Sequence, residues 1–271
     1  MVAVLVWFDP ACYSEPNRIG DSIMARELDS AIQRPVSQDL IAIRERWHCM
    51  NHPFYDRLSE GTLDLRHLAY FLVQHSLLVR QIFRSIGVTY AKSPDDIAHF
   101  IVENLAEEAG ILGIEGGEAH DHSELIFRFT RHCGWTDEKM RNAELLPTWY
   151  ARAAYYWWIT DAEPPIVRIA VQATQESQLV GENGARAVPA LIKHYGFSEE
   201  SPEIGFFIEH ATADVKHGNI LLELVDKHAI TTQLRERALK LAEQTCKLRW
   251  VSFNELYRVT HLGEEVGQAP Q

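Results

Sequence analysis

Apolar positions along the chain recur at intervals of three and four, the spacing of one face of an α-helix. Leu68, Phe71, Leu72, Leu77, Leu78, Ile82 and Phe83 make such a stripe after Asp64, whose carboxylate suits a helix N-cap, and predict a long helix ending near Ser93. Ser93-Pro94-Asp95-Asp96 opens the next, with Ile97, Phe100, Ile101, Leu105 and then Ile111 or Leu112. Upstream, Leu40, Ile41, Ile43 and Trp47 form a shorter stripe, and Pro53 suits the first turn of a short helix with Phe54, Tyr55 and Leu58. The glycine-rich stretch from Gly110 to Gly117 breaks the pattern. It resumes from His122 to Cys133, in an aromatic segment from Thr148 to about Ile159, and from Pro165 through Ile169 and Ala173 to near Gly181. A short helix at Val188 to His194 and long ones from Pro202 to about Lys227 and Thr232 to Tyr257 complete the set. No run alternates with period two. The expected fold is all α, a bundle of seven or eight helices around one core, with short connections. Residues 1–35 read as an N-terminal leader with one short helix near Ser22 to Ala31, 36–260 as the helical domain and 261–271 as a C-terminal tail.

Composition narrows the class. Hydrophobic residues make up 46% of the 271 positions, enough for a core, so a wholly disordered chain is excluded. The formal charge of −12 repels phosphate backbones, and no basic cluster offsets it, so nucleic acid is not an expected partner. Cys12, Cys49, Cys133 and Cys246 are widely spaced and contain no CxxC pair, which argues against a disulfide framework or a thiolate zinc site. The apolar run from Met1 to Phe8 lacks a basic flank, and no stretch is long and apolar enough to span a membrane. A soluble, cytoplasmic protein without membrane contact is expected.

Three patterns carry chemistry. In His210-Ala-Thr-Ala-Asp214-Val-Lys-His217 the three polar residues stand at i, i+4 and i+7, within roughly 60° on a helix. Two imidazoles and a carboxylate on one face suit a divalent metal, although an exposed polar stripe or a buried His–Asp hydrogen bond fits the same spacing. Glu176 follows Ile169 by seven and Ala173 by three, which turns a carboxylate toward an apolar face where it needs a partner, a proton or a metal. An Arg partner or a helix edge is the plainer account. Glu108 shares the apolar face of Ile101 and Leu105, Glu107 lies about 100° away and reads as facing water, and His122 opens the next helix. Together these residues offer three carboxylates and three imidazoles on separate helices, as helical bundles do when they build two-metal sites.

The segments His52-Pro-Phe-Tyr-Asp-Arg-Leu-Ser-Glu-Gly-Thr-Leu63, Tyr70 to Gln74, Glu103 to Gly110, His122 to Phe129, Glu209 to His217 and Trp250 to Phe253 resemble one family in order and spacing. It is the haem-oxygenase-like superfamily of the TenA thiaminases, the pyrroloquinoline-quinone synthase PqqC and the di-iron oxidases of its iron-containing redox branch. The resemblance spans about residues 38 to 258. It implies a haem-oxygenase-like bundle with Glu108, His122, Glu176, His210, Asp214 and His217 as ligands of two Fe ions (Fe2+/Fe3+), with O2 as co-substrate. The loop between Glu108 and His122 is longer than is usual in the family, so Glu107 and Glu115 are alternates for Glu108. The thiaminase branch uses a Cys on the helix that carries Glu176, and this chain has none between Cys133 and Cys246. The resemblance therefore implies an O2-dependent di-iron oxidase or oxygenase in biosynthesis, acting on a small molecule such as an amino acid or related carboxylate of secondary metabolism. A cofactorless PqqC-like oxidase and a non-enzymatic binding member of the fold are the alternatives. A homodimer is the family's expected assembly. Tyr70, Gln74 and Tyr155 or Tyr156 are candidate pocket residues, and Arg80, Arg84, Arg128, Arg131 and Arg168 are candidate anchors for a carboxylate.

Overall fold

The computed structural model describes residues 34–113, 118–176, 186–229 and 231–263, with only the backbone described at 212–215. The predicted helix near Ser22, most of the leader and tail, and the predicted helix end near Gly181 lie outside the described residues. Among the described residues the chain forms α1 (Val36–Arg46), α2 (Pro53–Ser59), α3 (Leu65–Lys92), α4 (Asp95–Glu108), α5 (His122–His132), α6 (Asp137–Arg141), α7 (Pro147–Ala162), α8 (Pro165–Glu176), α9 (Ala187–Tyr195), α10 (Gly205–His228) and α11 (Thr232–His261). Two 3-10 turns, Cys49–Asn51 and Pro202–Ile204, join them.

The all-α class holds, but the count is eleven helices, not seven or eight. The surplus consists of short helices, which are defined by their ends rather than by an apolar stripe. α2 begins at Pro53, with His52 Nδ1 accepting from the Phe54 N–H at 3.1 Å. α6, absent from the sequence expectation, is capped by the Thr136 hydroxyl, which accepts from the Lys139 N–H at 3.2 Å. α9 stops at Gly196, which takes the left-handed conformation at φ 78°.

α8 is the central element. Every residue from Ile166 to Gln175 is buried, because α8 packs against α10, α11, α7, α3 and α1. Around it the rings of Phe71, Trp149, Tyr55 and Phe253 pack with centroids 5.3–6.1 Å apart for the Phe71–Phe253, Phe71–Trp149 and Tyr55–Phe253 pairs, and the Trp149 Nε1–H donates to the Ser252 carbonyl at 3.1 Å. No described helix is long and apolar enough to cross a membrane.

α4 ends one turn earlier than its apolar pattern predicts. Ile111 and Leu112 are 72% and 48% exposed. After Glu108 the chain turns at Ala109 and Gly110, and Ala109 forms an isolated antiparallel bridge with Asp121. Asp121 then caps α5, its carboxylate accepting from the Ser123 N–H at 2.8 Å. The bridge pins both ends of the intervening loop, so its length does not separate Glu108 from His122.

His48 gives the core an acid-sensitive point. It is 1% exposed, its Nδ1 accepts from the Met50 N–H at 3.2 Å, and its Nε2 has no hydrogen-bond partner. Burial lowers its pKa to about 4, against the opposing pull of Glu45 and with help from Arg249, Arg44 and Arg186. The unfolded chain therefore takes up this proton first, near pH 6.5, and the folded chain only near 4. The neutral ring's stability is fully present above about pH 6.5 and is lost as pH falls toward 4, about 3 kcal/mol for this group. Urea unfolding at a series of pH values is expected to give a flatter acid limb for His48→Asn than for wild type. Equal slopes would refute this assignment.

Candidate metal centre

Four helices bring the polar groups together. Glu108 closes α4, His122 opens α5, Glu176 closes α8, and His210 and His217 lie two turns apart on α10. Ligand atoms of Glu108, His122 and His210 lie within 4.8 Å of one another, and those of Glu108, Glu176 and His217 do the same. Glu108 is common to both groups. Asp214 lies on α10 between the two histidines, and its side chain is outside the described residues, as is Glu115.

The donor set fits a pair of cations. His122 Nδ1 lies 2.6 Å from Glu108 Oε2 and has no aligned hydrogen-bond partner, so a cation can replace the proton between them. On its other side, His122 Nε2 lies 3.1 Å from Glu209 Oε1. The arrangement is that of a ligating imidazole whose second nitrogen is held by a carboxylate. His210 donates its Nδ1–H to the Phe206 carbonyl at 2.8 Å, which leaves Nε2 free to ligate. His217 Nε2 is paired with Glu107, and its Nδ1 lies 3.2 Å from the Asn104 amide and 4.0 Å from Glu176 Oε2.

The electrostatics of the pocket match. Burial opposes charge on Glu108, but His122, His210 and His217 outweigh it and hold the carboxyl below its ordinary value. Glu176 is pushed up, by burial first and by the neighbouring Glu108 next. Two carboxylates facing each other away from water are costly without a cation between them. Burial opposes charge on His122 as well, yet Glu108 and Glu209 raise its pKa to about 9. His210 is driven the other way, to about 4, by burial and then by His122, so it presents a neutral lone pair.

The helix phase misplaced Glu107. It is 3% exposed, not turned to water, and meets both His217 and the Lys216 ammonium, the latter at 3.1 Å. At the last turn of α4 two faces are covered at once, one by α5 and one by α10. Glu209, next to His210 and in the motif Glu209 to His217, joins the site without being among the expected ligands. It receives His122 and, at 3.1 Å from Oε2, His120. Glu209→Gln is expected to weaken metal binding about 10–100-fold while the fold persists. Competition with a chromogenic chelator measures this, and an unchanged affinity would remove Glu209 from the centre.

Beside the centre a cavity enclosing about 1030 Å3, open mouth included, runs between α3, α5, α7, α8, α10 and α11. Its wall includes Phe71, His75, Trp149, Tyr156, Phe206 and Phe253. The expected pocket residues Tyr70, Gln74 and Tyr155 are placed elsewhere. Tyr70 stacks on Trp135 at 5.9 Å, and Tyr155 stacks on Trp158 at 5.5 Å. Gln74 binds the Glu144 carbonyl at 2.9 Å and the Leu146 N–H at 2.8 Å, fastening the approach to α7. Each is one residue, about 100° of helix, from a residue that does line the cavity: Phe71, His75 and Tyr156. Of the five candidate anchors, only Arg80 lines the cavity, and it is solvent-exposed.

The profile of the family described as iron-containing redox enzymes matches residues 69–250. The chain belongs to that family. The match takes in most of α3, all of α4 to α10, most of α11 and all five described metal-site donors. Among curated relatives of this iron-containing redox family member, a 4-aminobenzoate synthase from Nitrosomonas europaea is 28% identical over 223 residues, covering 79% of this chain and 87% of the relative. A 4-aminobenzoate synthase from Chlamydia muridarum is 24% identical over 194 residues, covering 69% and 78%. The fold is that of a TenA homologue from Pseudomonas syringae, with a TM-score of 0.68 at 15% identity over 82% of this chain and 91% of the other. It is equally that of a haem-oxygenase-like domain from Shewanella denitrificans, with a TM-score of 0.66 at 16% identity over 90% and 98%.

Proposed function

We propose that this family member is a non-haem, two-iron oxidoreductase that uses O2 on a small molecule held in the cavity beside Glu108. The observation that carries the reading is the single carboxylate of Glu108 shared by two three-donor groups. Its ligand set is Glu108, His122, Glu176, His210 and His217, with Asp214 as the remaining donor from α10. A pair of ferrous ions held by these residues would supply the electrons that reduce O2.

The chain's own groups prepare that chemistry. Glu108 is the carboxylate that both donor groups would share. Glu209 and Glu107 fix the orientations of His122 and His217, and the Phe206 carbonyl fixes the tautomer of His210. Glu176, held above its ordinary carboxyl value, keeps a proton in the ion-free pocket and releases it when a cation enters. The aromatic wall excludes water from the reacting end of the substrate. Formation of 4-aminobenzoate, the activity in the names of the curated relatives, is the narrower form of this reading.

Anaerobic ferrous titration with metal analysis and Mössbauer spectroscopy tests it. Two irons per chain and O2 uptake that depends on them are expected, and absence of specific iron binding would sink the proposal. A second reading, oxidation or ligand binding without metal, is favoured by the pairs that close the pocket on itself, His122 with Glu108 and Glu209 and His217 with Glu107. It predicts O2 uptake or ligand binding that chelators leave unchanged.

A further inference from the structure

Two guanidinium groups line the cavity and form no ion pair with an acid among the described residues. Arg152 on α7 is 4% exposed and Arg249 on α11 is 8% exposed, and both line the cavity. The strongest electrostatic neighbours of Arg152 are Tyr156, Arg249 and Cys49, and those of Arg249 are Cys49, Tyr55, Tyr156 and Cys246. No carboxylate is among them. Arg249 Nη1 donates to the Gln175 carbonyl at 3.0 Å. The Arg152 guanidinium lies 5.2 Å from the Trp149 ring centroid, and its Nε has no hydrogen-bond partner.

A third buried arginine marks the contrast. Arg168 is 1% exposed, but it donates to Gln172 at 2.8 Å, lies over the Tyr156 ring at 4.8 Å and does not line this cavity. It is a core residue. Arg152 and Arg249 are instead two like charges that line one void and repel each other. An unpaired buried charge is costly, and two that repel are more so, unless an anion enters to meet them. Burial lowers the pKa of Arg152 only to about 10, so its charge persists at neutral pH.

The two ends of the cavity have different chemistry. Glu108, His122 and His210 stand at one end. His75 lines the same cavity, and Arg249, His210, Arg152 and His122 all act on it, so the arginines and the histidines border one void. The wall is otherwise largely aromatic, with Phe71, Phe206 and Phe253. The planar fork of a guanidinium matches a carboxylate and holds it in a fixed orientation.

We propose that Arg152 and Arg249 form a carboxylate-binding subsite, which holds a small monocarboxylate with an aromatic or otherwise apolar body and directs its far end at Glu108, His122 and His210. The role of the subsite as a substrate anchor rests on the oxidoreductase reading above, whereas its binding of a carboxylate does not. The sequence carried the signal. Arg152 falls at i+3 from Trp149, and Arg249 at i+3 from Cys246 and four before Phe253, each an arginine inside a buried stripe.

Calorimetric titration of the full chain with benzoate, its uncharged isostere benzamide and inorganic phosphate is the test. Benzoate is expected to bind, with benzamide at least about tenfold weaker and phosphate without measurable binding. Arg152→Gln and Arg249→Gln are each expected to weaken benzoate about 30-fold or more without changing iron content, and Arg152→Lys to recover part of the loss. If a glutamine variant does not fold, the benzoate–benzamide comparison on the wild-type chain decides. Benzoate binding no tighter than benzamide, a preference for phosphate, or folded glutamine variants that bind benzoate like wild type would overturn the subsite. Iron binding without benzoate binding removes the subsite alone. Benzoate binding without iron binding removes the metal reading alone.

Discussion

Glu108→Gln is expected to empty both metal positions at once. Every other described donor serves one group, whereas Glu108 serves two. An amide of the same shape keeps the packing at the end of α4 but carries no charge to hold two dications. After anaerobic loading and desalting, iron is expected to fall from about two per chain to near zero in Glu108→Gln, and to about one in His217→Ala. Circular dichroism separates metal loss from unfolding. A folded Glu108→Gln variant that keeps two irons would refute the shared carboxylate. A His217→Ala variant that loses both would show that the positions fill only together.

Gly110→Ala is expected to cause the largest loss of stability among single changes outside the apolar core. Gly110 sits at φ 66°, where an L side chain is strained, and a Cβ there would stand 2.5 Å from the Asp121 nitrogen and 2.8 Å from the His120 carbonyl carbon. Both neighbours are backbone and neither can turn aside. The cost is about 3 kcal/mol, or roughly 6–12 °C in Tm for a chain of this size. Iron affinity should fall as well, because the bridge between Ala109 and Asp121 aligns Glu108 with His122. Gly87→Ala is the control. Gly87 lies within α3, a Cβ there meets nothing within 4 Å, and the change should be neutral or stabilising by up to about 1 kcal/mol. Equal melting temperatures for the two variants would show that the close approach at Gly110 is not a constraint.

The long helices were legible because each buries one continuous stripe. α3 is the clear case, with Leu68, Phe71, Leu72, Leu78 and Ile82 all buried as their spacing predicts. The spacing of His210 and His217 placed two imidazoles on one face of α10, and both are buried. The inward turn of Glu176 was legible for the same reason, since Ile169 and Ala173, whose face it shares, are both buried. Of the short helices only α6 was not legible, because five residues hold too few turns to show a period and its cap decides it.

What the chain's pattern determined by itself was the set of helices long enough to have a face, and the residue types standing on those faces. The partner of each face was decided only by the tertiary structure. Glu107 and Glu108 are adjacent, yet both are enclosed, because α5 covers one side of the end of α4 and α10 covers the other. Tyr155 and Tyr156 are adjacent as well, and only Tyr156 reaches the cavity. Local periodicity fixes a residue's angle around its own helix axis. Whether that angle meets a carboxylate, a void or water depends on helices distant in sequence, which no local spacing encodes.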